Sequence, residues 1–486
     1  MDPTMIEQTT QNPVAFIAIS VLAMCFGWGM RGSAIGGEKG ALLPGALLGI
    51  LCAWYTGSDM LLEHALIFGA IGAMGHAFGA MEPYASVMEM VLHRDSPRYN
   101  PPLGYLALAF KGAIWSGIGA AILGFGFSAL TGQVYKWYDI VIFCAQIPIA
   151  QEIGYRIFNT PYNVEKKLQP KICFSSINSR EEWGRNVVII FELLILMIVR
   201  NDIFSILMWI GGLLGGSIGW LIAITFYDKE MHPLKNGKWL FGKMEKLGIV
   251  DGWKIMEFTQ GCVQGFMISG AFVLGWPLIA DKYAVAEATG GLWYMLPQNL
   301  DTILSWVFCG LIIVSIFLFF IPYMRNGNKI TQAFGEVDMN IVEVLERPCY
   351  MVFPLALVLL GSDLMANIMC GFVMYYVIAQ HDGLERYWDF KNVTLVRIVI
   401  ILIGAAVLAF QIFCGFTLWQ AWAAMLIEYI LFDLVYFYRP KRVIENWKKS
   451  KSFGQFLCAF KGDITVLPFF HIMLVALLVF GYVQFA

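Results

Sequence analysis

Long apolar runs separated by short polar segments repeat along the whole chain. The runs are 14 to 28 residues long, and most reach the about 20 apolar residues that a helix needs to cross a hydrocarbon core. They fall at 13–30, 41–57, 61–81, 103–130, 138–155, 184–200, 203–226, 255–280, 302–324, 348–361, 364–380, 395–415, 416–438 and 464–485. The pattern predicts an all-α fold, a polytopic membrane bundle of about 14 transmembrane helices, with 12–14 compatible with the runs. The stretch 348–380 reads either as one long tilted helix or as a hairpin turning at Gly361-Ser362-Asp363.

Basic residues choose between these options, because cytoplasmic loops retain Lys and Arg. With fourteen spans and both the N-terminus and the C-terminus outside, 29 of the 33 basic residues fall on the cytoplasmic side. Only Lys136, Arg200 and Lys282 fall outside, and Lys111 lies within a span. A single span over 348–380 would put the basic loop 439–463 outside, so the hairpin is preferred. The chain then divides into Gly-rich helices one to seven (1–226), a cytoplasmic connector (227–254) and helices eight to fourteen (255–486). The connector mixes lysines with Trp239, Phe241, Leu247 and Trp253. That is the composition of an amphipathic helix lying on anionic lipid, with packing on the bundle ends as the alternative.

Composition sharpens the class. The chain is 58% hydrophobic and 14% charged, against about 45–50% apolar and about 25% charged in soluble domains. Disorder is excluded, and the chain is read as an integral protein of a bacterial plasma membrane, with lipids as its first partners. A net charge of -2 excludes a nucleic-acid-binding surface. The ten cysteines contain no CxxC pair, so neither a disulfide framework nor a zinc site is expected. No cofactor and no metal are implied. The run Gly27-Trp28-Gly29-Met30-Arg31-Gly32 fits GxGxxG, but it ends a transmembrane helix rather than following a strand, so it is not read as a nucleotide loop.

Glycines recur at helical spacing in spans three, four, seven and eight, which lets helix backbones approach closely. Ionisable groups inside a bilayer are costly and face a bundle interior or a hydrated cavity. Those of this chain gather toward the cytoplasmic ends of the spans. Arg31 and Glu38 flank the first connector, near a helix N-terminus that favours an anion. His76 and Glu82 close span three, Lys111 lies eight residues into span four, and Glu152 ends span five. Glu257, Gln260 and Gln264 share one helix face, since their spacings are three and four. These nine residues form the expected substrate-binding set. Glu192 and Glu428 lie deep within apolar runs and, with Asp433, are the expected proton- or ion-coupling groups. Pairing with Lys111 or Arg31 would keep one of the deep carboxylates charged.

Fourteen spans with buried carboxylates suit a secondary transporter of a small polar substrate, anions included. The alternative is a membrane-embedded enzyme acting on a lipid or lipid-linked phosphate or glycan at the cytoplasmic leaflet. In that case His76 with Glu82 or Glu152 would supply the base and its orienting partner. No HExxH, aspartate-rich cluster or nucleophile elbow supports the enzyme. A channel or scramblase ranks third, because no pore motif repeats.

Overall fold

The computed structural model describes residues 10–30, 40–80, 84–131, 134–174, 181–232, 252–280, 291–292, 294–315, 351–370, 406, 409–410, 413–437, 440–458 and 468–486. Of residues 85, 86, 312–315, 428–437, 440–442, 457, 458 and 468 only the backbone is described. Within these limits the chain is helical and has no strand. The helices that matter below are α1 (Pro13–Met30), α2 (Leu42–Tyr55), α3 (Ala65–Gly79), α4 (Ala85–Leu92), α5 (Pro101–Thr131), α6 (Trp137–Phe158) and α7 (Trp183–Val199). They continue with α8 (Ile203–Met231), α9 (Gly252–Gly275), α10 (Gln298–Ser315), α11 (Phe353–Leu359), α12 (Leu418–Phe437), α13 (Pro440–Lys449) and α14 (Pro468–Phe485).

Four of these, α1, α5, α6 and α8, are long and apolar enough to cross a membrane. α5 has 31 residues and is about 46 Å long. α2 and α3, where full spans are expected, have 14 and 15 residues, about 21–23 Å of helix against a core of about 30 Å. α9 has 24 residues, but Lys254, Glu257, Gln260 and Gln264 dilute its apolar character. The expected spans near 302–324, 364–380 and 395–415 lie partly or largely outside the described residues, as do most of the connector 227–254 and the loop at 459–467. The stretch from Phe353 to Cys370 is not one helix. α11 ends at Leu359, and Gly361 takes φ +78°, a backbone conformation that glycine adopts without penalty. His64, just before α3, pairs with Asp363 at 2.8 Å beside this break.

Local signals set the helix ends. Asn12 Oδ1 accepts from the Val14 and Ala15 amides and starts α1. Asp202 accepts from the Ser205 amide and starts α8, and it also binds Ser128 on α5 and the hydroxyl of Tyr135.

Six helices close into a ring in chain order: α1 packs on α2, α2 on α3, α3 on α5, α5 on α8, α8 on α9, and α9 returns to α1. Glycine lies at each of these six seams. Gly27 meets Pro44 between α1 and α2, and Gly45 meets Gly72 between α2 and α3. Gly75 faces Gly119, and Gly79 faces the Trp115 carbonyl, between α3 and α5. Gly112 and Gly216 oppose each other between α5 and α8. Gly215 lies against Gln264 between α8 and α9, and Gly261 and Gly265 lie against Met24 and Ser20 between α9 and α1. Backbones this close gain dispersion and carry no side-chain entropy at the contact. α6 and α7 pack outside the ring behind α5, α4 covers α5 and α8, and α14 lies against α1 with α12 behind it. Outward faces carry exposed Ile142, Ile149, Phe191, Ile195 and Leu274, whereas Gln260, Gln264 and Lys111 are fully buried. Apolar side chains exposed on these outward faces, with several polar groups buried inside an otherwise apolar core, fit a lipid solvent.

Candidate functional site

The ring interior is chemically different at its two ends. α1 and α3 finish, and α5 and α9 begin, at the end where Glu257 sits. Trp28 of α1 and Trp115 of α5 lie nearly parallel with centroids 6.0 Å apart. Trp220 of α8 meets Trp115 edge-on at 5.7 Å. Tyr84, the residue before α4, packs on Trp115 and Trp220 at 5.1 and 4.5 Å. Its hydroxyl donates to Glu257 Oε1 at 2.7 Å. One carboxylate is thus tied through Tyr84 to a cluster of four aromatic rings from four segments of the chain.

Gln260 and Gln264 continue the Glu257 face along α9. Both are fully buried, and neither amide oxygen nor amide nitrogen has a hydrogen-bond partner. His76 of α3 lies between the facing glycines Gly45 and Gly119. Its Nδ1 is 3.0 Å from the Gly72 carbonyl, so Nδ1 carries the proton and donates. Nε2 is then an acceptor in the neutral ring; it is buried and has no partner. Seam contacts give the relative depths. Gly29 faces Phe258, and Trp28 faces Trp115, at the level of Glu257. One helical turn further along, about 5.4 Å, come Met24 against Gly261 and Gly119 against His76. Through α8, Gly212 against Ala120 and Gly211 against Ile268 put the Gly119 level further along α9, so His76 lies across the ring from the stretch 260–268, which includes Gln264. Ser116, on α5 against Gly216, and the Trp220 indole N–H are also buried without partners.

Beyond Gln264 the interior turns apolar. Phe272 is the hub of an aromatic cluster, with centroids 5.9 Å from Phe16, 5.9 Å from Tyr55, 5.0 Å from Phe127 and 5.6 Å from Phe204. Phe68 stacks on Phe127 at 4.0 Å, and Trp276 stacks on Phe272 at 5.8 Å. This cluster fills the ring at the end opposite Glu257 and is predominantly aromatic.

Lys111, an expected cation of the binding set, is already committed. Lys111 Nζ is 2.9 Å from Glu181 Oε2, and both side chains are buried. Glu181 also accepts the Phe174 amide at 2.6 Å. The Phe174 carbonyl in turn accepts from Arg98, which binds Glu89 at 2.9 Å. The Ser96 hydroxyl holds the Glu89 carboxyl below its ordinary value, with Arg98 adding to the effect and slight burial opposing it. These links hold residues on either side of 175–180 against the ring, where Glu181 closes over Lys111. Lys111 is thus paired with Glu181 rather than with one of the deep carboxylates, and it does not reach out to headgroups.

Of the expected binding set, the structure brings His76, Glu257, Gln260 and Gln264 to the ring interior. Glu152 lies outside it on α6, 2.7 Å from Arg156 and 3.9 Å from Arg185. Glu192 lies on α7, also outside the ring, half-buried beside exposed Phe191. Arg31, Glu38 and Glu82 lie outside the described residues, and of Glu428 and Asp433 only the backbone, on α12, is described. Glu181, Tyr84, Trp28, Trp115 and Trp220 were not singled out from sequence. The tryptophans had a usable signal, since each interrupts a glycine-rich stretch (GWG, IWSG, GSIGW). Among the described residues no three His, Cys, Asp or Glu side chains cluster to hold a metal ion. Among the described residues, the ring interior offers hydrogen bonding by neutral groups, aromatic contact and the Glu257 carboxylate.

No known protein family, curated protein or solved structure matches this chain.

Proposed function

We propose that this chain is a multi-pass secondary transporter of a small polar substrate, with fourteen spans and both termini outside. The Glu257 end of the ring faces the cytoplasm. The observation that carries the reading is the pair of unpartnered, fully buried glutamine amides inside a ring sealed at its other end by aromatic rings. Such an interior is a binding site with one open side. The glycine seams support a cycle, because smooth backbone contacts can slide without interlocked side chains. The distribution of 29 basic residues supports the orientation. Glu257 is the coupling carboxylate that the geometry favours. It lies inside the ring, whereas Glu192 sits on the peripheral helix α7.

Proteoliposomes test this. The vesicles are incubated with isotope-labelled, water-soluble cell extract under an imposed pH gradient. Mass spectrometry is expected to find a small polar species concentrated inside sealed vesicles and released when they are permeabilised. Glu257→Gln is expected to lower gradient-driven accumulation at least about tenfold, since a hydrogen bond to a charged group is worth about 1.5–3 kcal/mol. Turnover of a lipid substrate by the detergent-solubilised protein, with no accumulation in vesicles, would favour the membrane-embedded enzyme instead.

A further inference from the structure

The unpartnered groups of the ring specify the chemistry of what fills them. Resting on the transporter reading for its setting, we propose that the interior binds an uncharged, polyhydroxylated molecule of the saccharide or cyclitol class. Gln260, Gln264 and His76 hold it beside the indoles of Trp115 and Trp220.

Buried polar groups in proteins are almost always hydrogen-bonded, so each exception needs a reason. Some of the exceptions lie on α6 and α7 outside the ring, both amide atoms of Gln151 among them, and a second group shares the ring itself. Both amide atoms of Gln260, both of Gln264, His76 Nε2, Ser116 Oγ and Trp220 Nε1 are buried without partners. They come from α3, α5, α8 and α9, four members of one ring. Each glutamine offers two N–H donors and one acceptor oxygen, His76 Nε2 accepts, the indole donates, and the serine does both. A ligand that satisfies this set must present donors and acceptors side by side. A hydroxyl is both at once, and neighbouring ring hydroxyls match a glutamine amide edge in two places. A carboxylate could answer the N–H donors, but it would leave His76 Nε2 unfilled and meet Glu257. Lys111, the cation on the same wall as Trp115, is neutralised by Glu181 and offers an anion no charge. An ammonium could answer the acceptors and leave the donors empty. A quaternary ammonium has no N–H at all. The indole faces add an apolar platform against which the C–H face of a sugar ring packs.

The test uses the full chain purified in detergent, with glucose, sucrose and myo-inositol as probes and choline and succinate as charged comparators. At a hundredfold excess over Kd, at least one of the three neutral probes is expected to raise the Tm, followed by intrinsic tryptophan fluorescence, by roughly 3 °C. Gln260→Leu and Gln264→Leu are expected to weaken that probe at least about tenfold. Their Tm without ligand should stay level or rise, because each removes an unsatisfied amide. If the ligand-free Tm of both variants falls instead, the amides serve the fold and the proposal is overturned. It is equally overturned if choline or succinate raises the Tm, or if none of the neutral probes does. Neutral-probe binding without uptake into vesicles upholds this inference and removes the transporter reading. Accumulation of a charged solute does the reverse.

Discussion

Gly72→Val is expected to cost this protein its fold. A β-carbon at Gly72 runs into the Gly45 carbonyl across the α2–α3 seam, and one at Gly45 runs into Gly72 in the same way. The obstacle is backbone on both sides, so no rotamer change relieves it. Overpacking a well-filled interior costs about 1–3 kcal/mol where side chains can adjust. Here two helices must separate, and the seam is one link of a closed ring, so the cost belongs at or above the top of that range. Gly216→Val, against the Gly112 carbonyl between α5 and α8, is expected to do the same. Gly270 and Gly310 are the controls, since a β-carbon at either meets nothing within 4 Å. Gly270→Ala should be neutral or stabilising by up to about 1 kcal/mol, the helix-propensity difference between the two residues. Fluorescence-detected size exclusion after a heating series in detergent checks the three variants. Equal Tm values for Gly72→Val and Gly270→Ala would show that the glycine seams do not hold the ring.

Removing one partner of the Lys111–Glu181 pair is the second large expected effect. Both side chains are buried and 2.9 Å apart. Breaking a buried ion pair from one side leaves an uncompensated charge and costs about 3–5 kcal/mol, whereas replacing both partners together costs far less. Lys111→Met and Glu181→Gln should each lower the Tm strongly. The double variant should recover about 1–3 kcal/mol, a coupling expected between groups in contact. Glutamine at 181 keeps an oxygen for the Phe174 amide, so the double variant isolates the charge interaction. Strict additivity of the two single losses would show that the charges do not interact.

Some of this architecture was legible in the sequence. Residues 257, 260 and 264 share a face by helix arithmetic alone, and they remain together on the inner face of α9. The glycine spacing announced close helix contact, and the contacts lie where the stripes run. Gly270 is the exception within span eight, since it faces open space. Which helix meets which was not legible, because neighbours across a bundle leave no periodicity in a single chain. That gap explains the reading of Glu192. A carboxylate deep in an apolar run looks functional by depth, yet α7 packs outside the ring and carries it away from the interior. Glu181 was missed for the opposite reason. It precedes α7 in a polar loop, where a carboxylate is ordinarily solvated, and only the path of the chain through Phe174 brings it over Lys111. The tryptophans carry a signal of their own, because their isolation among glycines marks positions where one large side chain fills the ring.

The central claim is that the ring interior at Gln264 opens to one side of the membrane and is reached from the other only through a change of state. Gln264→Cys, in a background with the ten native cysteines replaced, measures this directly with a membrane-impermeant thiol reagent applied to inverted and to right-side-out vesicles. The reagent is expected to modify position 264 from the cytoplasmic side. From the outside it should react only at a much lower rate, because Phe272 and its aromatic neighbours block that path. Fast modification from the outside alone, or none from either side, would contradict the account.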